Sequence, residues 1–195
     1  MADVASPFGA VPVSSLVSCA YNDKIVHYKI ASGYNTDVFY GDFVKWHDNN
    51  PNTTIQKDTG TATLTPIGVF LGCSYTDPVS GEFRQSQYFP ANTAASDIVA
   101  YVQSDPFIVM KMQCDGPVDQ DDLGKNVECN QTAGSTLIGT SKNDIDISTA
   151  ATTNTLPLKI VDFVDGPSKA VDQAFPEVLV MFNVGHQLLN PTGIG

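Results

Sequence analysis

Apolar and polar residues alternate along much of this chain with a period of two, the pattern of a strand with one buried face. The stretch Ile25–Ile30 reads Ile-Val-His-Tyr-Lys-Ile, and Asp37–Trp46 is equally rich in β-branched and aromatic residues. A third stretch, Ile67–Cys73, is a short continuous apolar run, which predicts a strand buried on both faces. Gly68 and Gly72 within it indicate a close backbone approach or a bend at that point.

The rest of the chain continues the pattern. Further strands are predicted at Phe83–Phe89, Phe107–Gln113, Gly134–Gly139, Asn143–Ser148, Leu156–Val164 and Val178–Phe182. Ala94–Gln103 fits a short helix or a strand and leans toward a strand, while Asp119–Gly124 predicts one helical turn or a tight loop. About nine to eleven short strands, without a sustained helical stripe, predict a mostly β protein: a single-domain β-barrel or β-sandwich.

The two ends of the chain differ from this β domain, to which we assign residues 25–187. Residues 1–24 hold two prolines, four serines and scattered apolar residues, and residues 188–195 are similar in character. Both segments are too apolar for free tails and too broken for helices, so we expect extended N- and C-terminal arms. The arms either lie on another subunit of an assembly or fold back across their own domain, and composition does not separate these alternatives.

The charge balance narrows the choice of partners. The chain has 195 residues, with 10 Lys and Arg against 21 Asp and Glu, for a formal net charge of −11. A protein without a basic surplus is a poor ligand for nucleic acid phosphates or for an anionic membrane surface, so neither is expected as a partner. Of the acids 18 are Asp and three are Glu, which favours turns over helix interiors.

Four cysteines are spread widely along the chain, at positions 19, 73, 114 and 129. The first residues lack the basic and apolar regions of a secretion signal, so we expect synthesis in a cytosol and reduced, partly buried thiols. A disulfide between Cys114 and Cys129 is the minority alternative.

The chain carries no sequence motif typical of catalysis, metal binding or cofactor binding. The chain has no nucleophile elbow, phosphate-binding glycine loop, dinucleotide fingerprint or zinc-protease helix. Its histidines, His27, His47 and His186, stand far apart on different predicted elements. Asp115–Asp122 packs four carboxylates into eight residues without the spacing of a calcium loop, which predicts a solvated acidic loop. We therefore predict no catalytic residue, no cofactor, no metal and no enzyme activity.

A group of aromatic residues between Tyr34 and Trp46 allows two interpretations. Strand periodicity places Phe39 and Phe43 in the core. The alternative is an exposed platform that binds a glycan or a protein partner, with Trp46 as the residue nearest the surface.

Several segments resemble virion structural proteins of tailed bacteriophages, and most closely their small capsid decoration (cement) proteins. The segments are Tyr40–Lys45, Pro66–Gly72, Asp122–Asn126, Gly134–Ser141 and Asp146–Val161. The resemblance extends from near Ile25 to near Asn183, and its motifs are Gly, Ser and Thr turn patterns that carry no chemistry.

This resemblance implies a β-barrel or β-sandwich subunit that binds the outer face of a phage head and stabilises the shell. The implied partner is the major capsid protein, the implied location is the capsid surface, and synthesis would take place in the bacterial host cytoplasm. A homo-oligomer is expected, with a trimer fitting a lattice junction. Apolar arms would supply contacts, so we predict capsid or subunit contacts at Phe8, Val11, Leu16 and Leu188, and we add Trp46 as the aromatic residue nearest the surface. The alternatives are a tail, neck or fibre-base subunit, or a host-glycan-binding module on the virion.

Overall fold

A computed structural model describes residues 4–17, 24–48, 54–164, 171 and 173–187 of the chain. These residues contain twelve strands, the 3-10 turn Gln120–Asp122 and no α-helix. The strands are β1 Val11–Ser15, β2 Ile25–Lys29, β3 Phe43–Trp46, β4 Ile55–Lys57, β5 Gly68–Thr76, β6 Phe83–Ser86, β7 Val99–Gln103, β8 Ile108–Gln113, β9 Asn126–Asn130, β10 Asp144–Ala151, β11 Leu158–Phe163 and β12 Glu177–Phe182.

The strands form two antiparallel sheets. Sheet A has the order β1-β8-β12-β11-β9-β10, and sheet B has the order β2-β7-β5-β3-β4, with β6 paired to β5. The mostly β fold predicted from the sequence is therefore confirmed. Sheet B is built from one continuous part of the chain, whereas sheet A combines the second half with the N-terminal strand β1.

Both sheets curl until distant strands meet. In sheet B an isolated bridge joins Ile30, just after the edge strand β2, to Ile55 in the opposite edge strand β4. In sheet A a bridge joins Cys114, at the end of β8, to Ile145 of β10, and the Asp115 N–H donates to the Ile145 carbonyl at 3.0 Å.

Two apolar clusters fill the molecule. The first takes alternate residues from β8 to β12 and adds Phe43 and Val69 from sheet B. Its contact between sheets includes the rings of Phe43 and Phe182, whose centroids lie 5.7 Å apart in an edge-to-face arrangement. The second cluster lies on the other face of sheet B and includes Phe70 and Val102.

Strand β5 separates these clusters and is buried on both faces, which confirms the interpretation of its apolar run. Val69 faces the first cluster and Phe70 the second. Gly68 is required because a Cβ there would lie 2.2 Å from the Gln103 carbonyl oxygen. At Gly72 the pairing with β7 shifts register and φ is +144°, so a β-bulge bends the strand where the sequence indicated a bend.

Other strand predictions had mixed outcomes. Ala94–Gln103 contains a strand, β7, and Asp119–Gly124 contains the 3-10 turn, as predicted. The predicted strand Gly134–Gly139 is wrong: it is a turn held by Ser135 and Thr140, and its apolar Leu137 and Ile138 are exposed. Asp37–Trp46 is a strand only from Phe43 onward. Strands β1, β4 and β9 were not predicted.

Candidate functional site

The described part of the N-terminal segment forms an edge strand of its own domain. Strand β1 pairs antiparallel with β8, from Val11 opposite Lys111 to Ser15 opposite Ile108. The preceding residues follow the same course, because the Ser6 N–H donates to the Gln113 side chain at 2.7 Å. For residues 4–17, folding back on the same chain is therefore the alternative that the structure supports.

An exposed apolar surface runs along this edge, and we call it the β1 surface. It consists of the exposed side chains of Val4, Val13, Leu16, Val17 and Phe107. Phe107 belongs to it because its carbonyl accepts a hydrogen bond from the Leu16 N–H at 3.1 Å. Residues 4–17 carry no charged side chain in a chain whose net charge is −11.

Two ion pairs of the described residues flank the β1 surface. The Lys111 ammonium lies 2.9 Å from the Glu177 carboxylate, and the Lys24 ammonium lies 3.7 Å from the Asp105 carboxylate.

Two features of β1 oppose the addition of a further strand. Pro12 has no N–H to offer a neighbouring strand, and the register with β8 shifts between Pro12 and Ser14. Proline and bulges are the devices by which edge strands avoid pairing with other sheets. Contacts at this edge would therefore be made by side chains.

The structure brings together three of the five predicted contact residues. Phe8, Val11 and Leu16 all lie along β8, and the Phe8 ring centroid is 5.1 Å from the Lys111 Nζ. Trp46 lies on β3 in sheet B, where its ring meets Tyr28 edge-to-face at 5.3 Å and packs against the second apolar cluster. Leu188 is outside the described residues.

The aromatic group between Tyr34 and Trp46 belongs mainly to the interior. Phe39 and Phe43 are buried, and Phe39 stacks on Tyr88 with centroids 5.5 Å apart. Tyr34 is half-buried, and its hydroxyl oxygen accepts a hydrogen bond from the Lys57 N–H at 3.1 Å. The described contacts therefore support the core interpretation of these residues over an aromatic platform.

A second notable arrangement is a buried polar cluster centred on Asp42. One carboxylate oxygen, Oδ2, accepts from the Lys57 ammonium and from the Phe39 N–H, both at 2.9 Å. The other, Oδ1, accepts from the Ser141 hydroxyl at 2.6 Å and from the Asn143 amide at 3.3 Å. The cluster joins sheet B to the loop that precedes β10. All four groups donate to the Asp42 carboxylate oxygens, and hydrogen bonds that involve a charged partner are stronger than those between neutral groups.

An open cleft of about 520 Å³ lies over this cluster. Its walls come from residues 35–37, 39, 57, 59, 91 and 131–133. We call it the Lys57 cleft, because Lys57 is the charged residue that joins the cleft to the buried cluster.

No protein-family model, curated protein or solved structure matches this chain. The function of the β1 surface and of the Lys57 cleft must therefore be inferred from the residues that form them.

The predicted acidic loop and the histidines show no shared site in the described part of the chain. No three His, Cys, Asp or Glu side chains there are placed to hold a metal ion. His27 packs against Tyr101, and His186 lies between two backbone carbonyls at 3.2 and 3.3 Å. No helix among these residues is long and apolar enough to span a membrane.

The described cysteines, Cys73, Cys114 and Cys129, are free and buried, as the sequence predicted. Burial raises the pKa of the Cys73 and Cys114 thiols to about 12. Ile145 pairs with Cys129 on one side and bridges Cys114 on the other. With β10 between them the two cysteines are about two strand spacings apart, roughly 10 Å, too far for the minority disulfide.

The Asp42 cluster was not found from the sequence. Asp42 lies in a segment predicted as strand, and Lys57 lies in a Thr-rich stretch without a clear pattern. A charged residue near a strand end usually faces solvent, so nothing in the local pattern indicated that these two would pair in the interior.

Proposed function

We propose that this protein is a capsid decoration protein of a tailed bacteriophage, which binds the major capsid protein on the outer face of the head. The resemblance of its turn patterns to cement proteins suggested this function. The observation that supports it best is the β1 surface: an exposed, uncharged, apolar edge on a strongly acidic protein. Exposed apolar patches of this kind mark interaction sites in soluble proteins.

The proposed contact is made by side chains of the β1 surface, among them Leu16 and Val17. These side chains are 56% and 66% exposed, so both still have most of their area to bury. Each fully buried side chain of this size contributes about 1.5–3 kcal/mol. A single contact would be weak, but many copies on one shell, linked as oligomers, would bind with high avidity.

A homo-oligomer, with a trimer at a lattice junction, is part of the proposal. Copies that each carry a net charge of −11 repel one another over most of their surface. Approach is least costly where charge is absent, which again favours the β1 surface, since residues 4–17 carry no charged side chain.

The finer architecture that we propose is a pair of partly open barrels, one from each sheet. The Ile30–Ile55 and Cys114–Ile145 bridges support it, because they bring far strands of each curled sheet together. The proposed site of synthesis is the bacterial host cytoplasm, which fits the free, buried thiols.

The proposal is tested by mixing the purified protein with expanded heads of its own phage that lack it, followed by sedimentation. A decoration protein should pellet with the heads at a fixed ratio to the major capsid protein. Failure to bind these heads would refute the proposal.

A tail, neck or fibre-base subunit could use the same kind of surface. Imaging of intact particles that carry a labelled copy separates the locations: label over the whole head agrees with decoration, whereas label confined to the tail or its junction would replace our proposal with the tail assignment.

A further inference from the structure

The Lys57 cleft has a lining that differs sharply from the β1 surface. Side chains of Asn35, Asp37, Lys57, Gln131 and Thr132 supply polar groups to it, and Ala133 is a small apolar neighbour. Its volume of about 520 Å³ lies within the usual range of small-molecule sites. Because the residues of the two surfaces do not overlap, the cleft can act independently of capsid binding.

The floor of the cleft is fixed in position by the buried cluster beneath it. The Lys57 side chain is 9% exposed, and its ammonium lies 2.9 Å from the Asp42 carboxylate. Its backbone N–H is held separately by the Tyr34 hydroxyl. An ammonium has three N–H donors, and among the described residues Asp42 is its one hydrogen-bonding partner. A pre-positioned donor therefore borders the cleft.

Asp37 and Gln131 supply acceptors to the cleft. One oxygen of the Asp37 carboxylate, Oδ1, accepts the Ala91 N–H at 2.7 Å, which orients the group and leaves Oδ2 as an acceptor. The Gln131 amide donates to the Gly60 carbonyl at 3.0 Å and accepts from Asn143 at 3.0 Å, so it too is held in place. The cleft thus combines fixed donors and acceptors.

This combination selects against anions. Asp42 already neutralises the Lys57 ammonium, and Asp37 would repel an anion. A neutral ligand with hydroxyl groups meets no such penalty, since each hydroxyl both donates and accepts.

Apolar groups complete the lining. Ala91 and Ala133 are among the lining residues and offer methyl groups. Such groups suit the C–H faces of a pyranose, while the polar groups suit its hydroxyls. We propose that the Lys57 cleft binds a neutral saccharide unit, which gives the protein a glycan-binding activity distinct from its proposed capsid contact.

The test is an NMR titration of the isotope-labelled full chain with glucose, galactose, N-acetylglucosamine and the disaccharides lactose and maltose. Thr59 lines the cleft and is exposed, so Thr59→Tyr fills the cleft without altering the Asp42 cluster. Thr136→Tyr is the matched control, because Thr136 is an exposed threonine that does not line the cleft. Glucuronate and glucosamine serve as charged counterparts.

We expect at least one neutral sugar to shift backbone signals of residues 35–37, 57–59 and 131–133, with a Kd of about 1 mM. Thr59→Tyr should weaken this binding at least about tenfold and Thr136→Tyr should not change it. The proposal is overturned if no neutral sugar shifts these signals, if the shifts lie elsewhere, if Thr59→Tyr leaves them intact, or if a charged counterpart binds better. Capsid sedimentation is unaffected by any of these results, so the two proposals fail separately.

Discussion

The Lys57 ammonium and the Asp42 carboxylate lie 2.9 Å apart in the interior, with side chains 9% and 0% exposed. They come from different strand regions of sheet B, and Ser141 and Asn143 add donors from the loop before β10. These donors together stabilise the buried Asp42 carboxylate. If one of them is removed, part of the negative charge is left with neither a hydrogen-bond donor nor water around it.

The first prediction follows from this pair. Lys57→Met removes the ammonium but leaves the Asp42 carboxylate buried, so we expect the free energy of unfolding to fall by about 3–5 kcal/mol. Arg84→Met is the control, because the Arg84 side chain in the Arg84–Asp77 pair is 52% exposed, and solvent-exposed pairs contribute little to stability. Urea unfolding measures both. Equal losses of unfolding free energy in the two variants would show that the buried Lys57–Asp42 pair stabilises the fold no more than the more exposed Arg84–Asp77 pair does.

A second prediction concerns the close packing of β5 against β7. Gly68→Ala places a Cβ 2.2 Å from the Gln103 carbonyl oxygen, so backbone must move and we expect a loss of at least about 2 kcal/mol. At Gly116 the nearest atom to a new Cβ is the Ile147 Cγ2 methyl carbon at 3.3 Å, with no backbone atom of a described residue beyond its chain neighbours within 4 Å, and Gly116→Ala should change stability by less than about 1 kcal/mol. Thermal unfolding compares the two; a Gly68→Ala protein as stable as Gly116→Ala contradicts the described packing.

A third prediction concerns the thiols. Burial raises the pKa of Cys73 and Cys114 to about 12 and raises that of Cys129 well above its usual value. The reactive thiolate is therefore almost absent at neutral pH, and the sulfur atoms are shielded. Iodoacetamide should leave these three cysteines unmodified in the folded protein and modify them in urea, as peptide mass spectrometry would detect. Rapid modification of any of them in the native state argues against its buried position.

A fourth prediction concerns pH and the buried Asp58. Desolvation raises the pKa of this carboxyl above 3.8, although the Gly60 and Thr65 N–H groups partly oppose the rise. Since its folded pKa is the higher one, the folded state binds the proton first as pH falls, and Asp58 destabilises the fold once it is ionised. Relative to Asp58→Asn, the wild type should therefore gain stability as pH falls from neutral through the range just above 3.8.

Urea unfolding of the wild type and the Asp58→Asn variant at a series of pH values measures this difference directly. The other titrating groups are common to both proteins and cancel. The Asp58 pKa is not raised if the difference in free energy of unfolding between the two proteins is the same at every pH. The same conclusion holds if the wild type loses stability relative to Asp58→Asn as pH falls.

The sequence predicted those features of the fold that depend on local pattern. Val69 and Phe70 lie in an apolar run without polar interruptions, so burial of β5 on both faces followed from the run itself. Gly134–Gly139 shows where this reasoning fails: Leu137 and Ile138 are apolar, but they lie at an exposed turn whose shape is set by Ser135 and Thr140.

Features that depend on distant parts of the chain could not be predicted in this way. Strand β1 contains Pro12 and serines, and it is a strand because β8, far along the chain, pairs with it. Likewise, Asp42 and Asn143 meet only through the tertiary fold. The contact role of Leu16 was inferred from its apolar context, but its place on an exposed edge, beside Phe107, needed the structure.

The central claim is that the β1 surface binds the capsid, and variants of that surface test it most directly. Leu16→Asp puts a charge on the surface at an exposed position, and Val79→Asp makes the same kind of change on the β5–β6 turn, where Val79 is 94% exposed. Both variants should fold like the wild type. In sedimentation with undecorated heads, we predict that Leu16→Asp weakens binding at least about tenfold, as expected for the loss of roughly 1.4 kcal/mol or more at each contact, while Val79→Asp binds normally. Full binding by Leu16→Asp would contradict the account.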